Sequence, residues 1–214
     1  LVLNLQGNLG NVNGKIAGTG SLLLQRAIEV DNRGGQLASQ GRLSLAMGGL
    51  NNSQGGTVAA KGPLAIDASA IVQNNADGLI YSQEGDLHLN AFGLVNAQGK
   101  LQGHNGLRVE VNGDLDNQGG NIISQTGDMY LKAGNLDNRS GVLASLKGAI
   151  EAGVVGVLRN GHDLNGSPKG GLIQGQRLLL NAGQLDNQGG YLGAQTGDAL
   201  LTVATLNNQQ GALY

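Results

Sequence analysis

LDNQGGNIISQTGD occupies residues 115–128 and LDNQGGYLGAQTGD occupies residues 185–198. Ten of the fourteen positions agree, at a separation of seventy residues. A catalytic motif used twice and a structural period both produce such a pair, and the rest of the chain decides between them. Asn recurs at the third position of the phrase at Asn11, Asn32, Asn52, Asn74, Asn96, Asn117, Asn138, Asn160, Asn187 and Asn208. The intervals are 21, 20, 22, 22, 21, 21, 22, 27 and 21 residues. Two residues before each of these asparagines stands Leu or Val. The phrase is therefore one turn of a repeat of about 21 residues, and a fixed period of this size signals a solenoid.

Further columns follow the bend. An aliphatic recurs at Ile16, Leu37, Val58, Ile80, Leu101, Ile122, Leu143, Leu172, Leu192 and Leu213. Two residues on, the side chain is small at Gly18, Ser39, Ala60, Ser82, Gly103, Ser124, Ser145 and Ala194, with Gln174 the exception. Then come alternating pairs such as Leu22/Leu24, Leu87/Leu89 and Met129/Leu131. Period two is the mark of strands. One such unit cannot bury its own apolar face, but stacked units can, with equivalent strands pairing in parallel. The predicted fold is all-β, a right-handed parallel β-helix of about ten coils forming one segment over 1–214. The hand follows from the rule for strand–crossover–strand connections. Ten coils at ~4.8 Å make a rod of roughly 45–50 Å.

This architecture accounts for the composition. Glycine numbers 39 of 214 residues, proline two, and there is one Phe and no Trp. A narrow solenoid interior takes stacked Leu, Ile, Val and Ala, and glycines are expected to supply positive φ at the bends. The ten asparagines read as a structural ladder whose amides bond from coil to coil.

One interval departs from the period. GHDLNGSPKGG, residues 161–171, holds a surplus of seven residues measured from Asn160 to Leu172. It reads as an inserted loop over 161–169 at a coil bend, a position where solenoids carry binding faces. His162, Asp163, Asn165 and Lys169 are its candidate partner-binding side chains.

Charge and motifs exclude several chemistries. Thirteen basic and fifteen acidic residues give a net charge of −2, without the basic cluster that nucleic acid requires. There is no cysteine, hence no disulfide or thiolate metal site. No apolar run reaches the roughly 20 residues of a membrane span, and LVLNLQGNLGN has no basic leader, so the start reads as mid-sequence. GTGS at 18–21 is a bend rather than a phosphate loop. His88, His104 and His162 fall in different columns, so no metal or other cofactor is expected. β-Helical glycan-active enzymes need clustered carboxylates. Asp116 and Asp137 share a column in adjacent coils and Asp186 lies further along it, with Arg33 and Arg139 just after the asparagine column. Aspartate at a bend serves local backbone, and Asp86, Asp128 and Asp198 read the same way. No catalytic residue is assigned, and an enzyme is not expected.

LDNQGGNIISQTGDMYLKA (115–133), LDNRSGVLASLKG (136–148), LDNQGGYLGAQTGD (185–198) and VDNRGGQLASQG (30–41) together resemble the filamentous haemagglutinin repeat. The resemblance covers Leu9 to Tyr214, with LGNVNGKIAGTG (9–20) more divergent. It implies the shaft of a large bacterial exoprotein, secreted and held at the cell surface, either an adhesin or a contact-dependent growth-inhibition toxin. It implies export through an outer-membrane two-partner-secretion transporter, and a receptor on host or neighbouring bacterial cells as a further partner. Open end coils add an expectation of end-to-end self-stacking.

Overall fold

Alternating side chains need two faces, and the chain supplies an inside and an outside. The computed structural model describes residues 1–162 and 169–214, all of them strand, bend or irregular chain without helix. One coil shows the plan. A first arm, Leu107–Val111, turns a corner into a short second arm, Asp114–Asp116. After the asparagine bend the chain returns along a third arm, Asn121–Ser124. Each arm pairs in parallel with the same arm one repeat on: Leu107 with Met129, Leu115 with Leu136, Ile122 with Leu143. This is a parallel β-solenoid of about ten turns, as the period required.

First and second arms belong to one fifteen-stranded sheet that wraps the corner, and third arms form a separate ten-stranded sheet. In Leu22–Asp31, Leu43–Asn51, Ile150–Arg159, Leu178–Asp186 and Ala199–Asn207 the first two arms run on as a single strand. Two of these carry a register shift at the corner. One lies between Leu24 and Ala27, with Arg26 at φ 66°, and the other between Val154 and Val157. The second bulge pushes Val155 out to 81% exposure. Extra residues in one strand have to leave the ladder, and a corner absorbs them with least loss of pairing.

The core is the set of inward columns. Leu107, Val109, Val111, Leu115 and Ile122 are all buried within one coil, and their register partners continue the columns. Each fully buried aliphatic contributes about 1.5–3 kcal/mol of transfer free energy.

The register corrects the sequence reading at the insertion. Leu143 pairs with Ile173, not with Leu172, and Gly175 pairs with Ala194. Ile173 is fully buried while Leu172 is half-buried. Gly175, not Gln174, therefore holds the small column, which then has no exception at this coil. The insertion is eight residues, since Asn160 to Ile173 is thirteen steps and Asn138 to Leu143 is five.

The role expected for glycine also needs correction. The second residue after nine of the ten ladder asparagines has positive φ, but Asn13, Gln54, Ala76, Gln98, Ser140 and Gln210 hold it as well as Gly34, Gly119 and Gly189. In most coils the third residue after the asparagine is the one that must be glycine, and after Asn52 and Asn74 it is the fourth, Gly56 and Gly78. A Cβ on Gly120 would stand 2.1 Å from the Asn96 carbonyl oxygen, and one on Gly141 2.2 Å from that of Asn117. Close approach between coils, rather than φ, fixes this column. Gly119→Ala should thus cost about 1 kcal/mol of left-handed strain, and Gly120→Ala about 3 kcal/mol through forced separation of two coils. Urea midpoints of the two variants check this, and equal losses would contradict it.

Candidate functional site

The most regular polar feature is interior. Each ladder asparagine donates its side-chain N–H to the side-chain oxygen of the next, in nine bonds of 2.7–2.8 Å from Asn11 to Asn208. Asn32 through Asn187 are fully buried. The same nitrogens reach main-chain carbonyls: Asn117 Nδ2 lies 3.3 Å from Gly120 O and 3.2 Å from Val142 O. A backbone that bends every twenty residues leaves carbonyls turned inward, and a buried carbonyl without a donor costs about 1–3 kcal/mol. Asparagine satisfies them and its own neighbours at once, which Leu or Ser at this position could not do.

A second, shorter set of polar bonds was not anticipated. The small column on the opposite bend carries hydroxyls that serve turn carbonyls. Ser39 Oγ donates to Gly20 O at 2.6 Å, Ser82 Oγ to Gly62 O at 2.8 Å and Ser145 Oγ to Gly127 O at 2.8 Å. The alternation of Ser with Gly and Ala in that column was the available signal.

Of the six bend aspartates singled out, Asp116, Asp128, Asp137 and Asp186 accept main-chain hydrogen bonds. Asp116, Asp137, Arg159 and Asp186 follow one another in register, so a cation separates Asp137 from Asp186. Asp116, Asp137 and Asp186 accept from the backbone N–H of Gln118, Arg139 and Gln188, two residues on. Asp31 does the same for Arg33 N and is paired with the Arg33 guanidinium at 2.7 Å. That hydrogen bond holds the Asp31 carboxyl below its ordinary range. A lowered carboxylate adds stability above its unfolded pKa and loses it as pH falls, and at this exposed site the effect is small. Arg139 pairs likewise with Asp137. Asp128 Oδ1 accepts from Ala149 N in the next coil at 2.7 Å. In the groove lined by Asp114, Asp116, Asn135, Asp137 and Arg159, Asp116 and Asp137 serve their own bends and Asn135 Nδ2 donates to Asp114 Oδ1 at 2.9 Å.

Histidines and tyrosines are dispersed. His88 is exposed beside Arg108, and His104 Nδ1 lies 2.8 Å from Gln125 Oε1. Arg108 stacks over the half-buried Tyr130 ring at 4.0 Å, and Tyr191 stacks on Tyr214 at 5.4 Å. Tyr81 is half-buried in its third arm. Among the described residues no group of three or more His, Asp or Glu side chains is arranged to hold a metal ion.

Of the four loop residues singled out, Asp163 and Asn165 lie outside the described residues. His162 and Lys169 mark the root. His162 forms an antiparallel bridge with Gly170, and Gly171 N donates to Asn160 O at 2.9 Å and Gly161 O at 3.0 Å. Ser140 Oγ donates to Lys169 O at 2.6 Å. The His162 ring lies over Gly189 in the following coil, with its Nδ1 buried and unpartnered. The insertion therefore leaves from and returns to one pinned point on the bend.

These columns have a counterpart among known families. Residues 17–91 match the family model of the haemagglutinin repeat. Over those residues the chain is similar to the haemagglutinin repeat. The match spans a little over three coils, and parallel pairing of the third arms continues through the coils that follow. No curated protein and no solved structure matches the chain. In this chain the most regular polar residues are ladder or bend groups. Among the described residues no helix is long and apolar enough to cross a membrane.

Proposed function

We propose that this chain is a shaft segment of a large bacterial exoprotein of the filamentous haemagglutinin type, secreted and held at the cell surface, whose work is reach. The observation that carries this reading is the unbroken asparagine ladder, nine bonds long and joined to parallel pairing in every coil. Each coil rests only on its neighbours, so length can be added without changing the core. Such a rod sets the distance between a cell and whatever stands at its far end. An adhesive tip and a growth-inhibiting toxin both fit that end, and both fit export through an outer-membrane two-partner-secretion transporter.

A second reading gives the segment a receptor contact of its own at 161–169. The root at His162, Gly170 and Ser140 favours it, because both ends of the insertion are anchored to the bend. Binding of the labelled chain to epithelial cells and to neighbouring bacteria separates the two. The shaft reading expects no saturable binding to either. Saturable binding that vanishes when 161–169 is replaced by an ordinary bend would overturn it in favour of a receptor-binding module.

A further inference from the structure

The chain holds 23 asparagines, and four of those in the described residues precede glycine: Asn13, Asn105, Asn112 and Asn160. In such a pair the glycine nitrogen can attack the asparagine side-chain carbonyl carbon. A C–N bond forms, the bond from that carbon to Nδ2 breaks, and ammonia leaves. Water then opens the cyclic imide to aspartate or isoaspartate. The reaction needs a glycine N–H that is not held by an acceptor, and an asparagine side chain free to turn toward it.

The four pairs differ in both respects. Gly14 N is held by Asn11 O at 3.0 Å, and Gly113 N by Phe92 O at 2.7 Å. Asn160 is fully buried with its Nδ2 bonded to Gly171 O, Asn187 Oδ1 and Tyr191 O. Asn105 is exposed and makes one side-chain bond, to Glu84 O at 3.1 Å. The register shows why the Gly106 nitrogen is spare. Leu64, Leu87 and Leu107 are aligned, so Pro63, Asp86 and Gly106 share a column. Their carbonyls accept from Leu43 N, Leu64 N and Leu87 N. Pro63 has no N–H, so the stack does not need a main-chain donor at every coil of this column, although Ala149 N further along it donates to Asp128 Oδ1.

We propose that Asn105 is a deamidation site of the folded chain, and that the ladder shields Asn160 from the same reaction. The isoaspartate product adds a methylene to the main chain at the tightest approach between coils. The Asn105 carbonyl oxygen lies so near Gly127 that a Cβ there would come within 1.5 Å of it. Modification at Asn105 therefore strains the stack between its coil and the next.

The test is peptide mapping of the full chain during incubation at mildly alkaline pH, folded and in denaturant. Folded, Asn105 is converted first of these four. Asn160 reacts at a rate like that of Asn105 in denaturant and at least ~10³-fold more slowly when folded, because it must wait for opening of the core. Gly106→Pro abolishes conversion at Asn105 with the fold kept, as Pro63 already occupies the column. Should that variant fail to fold, Gly106→Ala, which matches Ala149 in the same column, slows conversion instead. Asn13 or Asn112 reacting before Asn105 in the folded chain would overturn the proposal, as would folded Asn160 keeping pace with Asn105.

Discussion

Asn117→Asp, a change of one buried side-chain group, should lower the stability of this chain by about 5 kcal/mol or more at neutral pH. That is comparable to the whole stability of many domains. The Asn117 Nδ2 faces three acceptors: Asn138 Oδ1 at 2.7 Å, Gly120 O and Val142 O. A carboxylate oxygen in its place turns three attractions into three repulsions inside a site with no solvent. Burial and these neighbours raise the pKa of the introduced carboxyl above its unfolded value. The variant is then least impaired below the unfolded pKa, where the protonated acid restores one donor, and it loses stability as pH rises through the folded pKa. Asn117→Ala is the milder control. It leaves Asn138 Oδ1 without its donor at about 1–3 kcal/mol and removes one acceptor from Asn96 Nδ2, which keeps Gly99 O and Asn121 O, without strong pH dependence. Chemical unfolding at several pH values distinguishes the two. An Asp variant as stable at neutral pH as at acid pH would remove the ladder from the account.

Leu131→Asp should be as damaging for a different reason. Leu131 is 1% exposed, and its register neighbours are Val109 and Ala152, also buried. A charge there has no counter-ion and no hydrogen-bond donor, and the cost of leaving it unpaired is again about 3–5 kcal/mol. Because each coil is the floor of the next, the loss should spread through neighbouring coils, visible as lost amide-exchange protection on both sides. Lys132→Asp, one residue on and exposed, should change stability by less than about 0.5 kcal/mol. Comparable effects at both positions would contradict the alternation of inside and outside along this arm.

What could be read without coordinates was whatever the period exposes. The asparagine and aliphatic columns, the parallel stacking and the outward place of His88 follow from counting, because a solenoid repeats its environment every coil. Contacts made across the period were less visible. The insertion at 161–171 allows two alignments, Leu172 or Ile173 as the core residue, and both are apolar. Only the pairing of Ile173 with Leu143 decides between them. The doubled glycine of LDNQGG looks like one turn signal, but its two residues meet different demands: Gly119 a φ of 61°, Gly120 a carbonyl of the preceding coil. The corner bulges at Leu24/Ala27 and Val154/Val157 leave no local mark. The bend aspartates were legible because the Asx turn is a short-range device, whereas the Arg108–Tyr130 stack depends on register between coils.

The central claim is that residues one repeat apart lie side by side. The absence of native cysteine makes a direct test possible. Tyr81 and Gln102 are register partners on adjacent third arms, and Ile123 is the partner of Gln102 one coil further on. Adjacent coils stand about 4.8 Å apart, within the reach of a disulfide, and coils two apart stand at about twice that, beyond it. The measurement is disulfide formation under mild oxidation in the paired variants Tyr81→Cys/Gln102→Cys and Tyr81→Cys/Ile123→Cys. The account predicts rapid intramolecular bonding in the first and none in the second. Bonding in the second, or in neither while the chain remains folded, would contradict the stacked register on which the shaft reading rests.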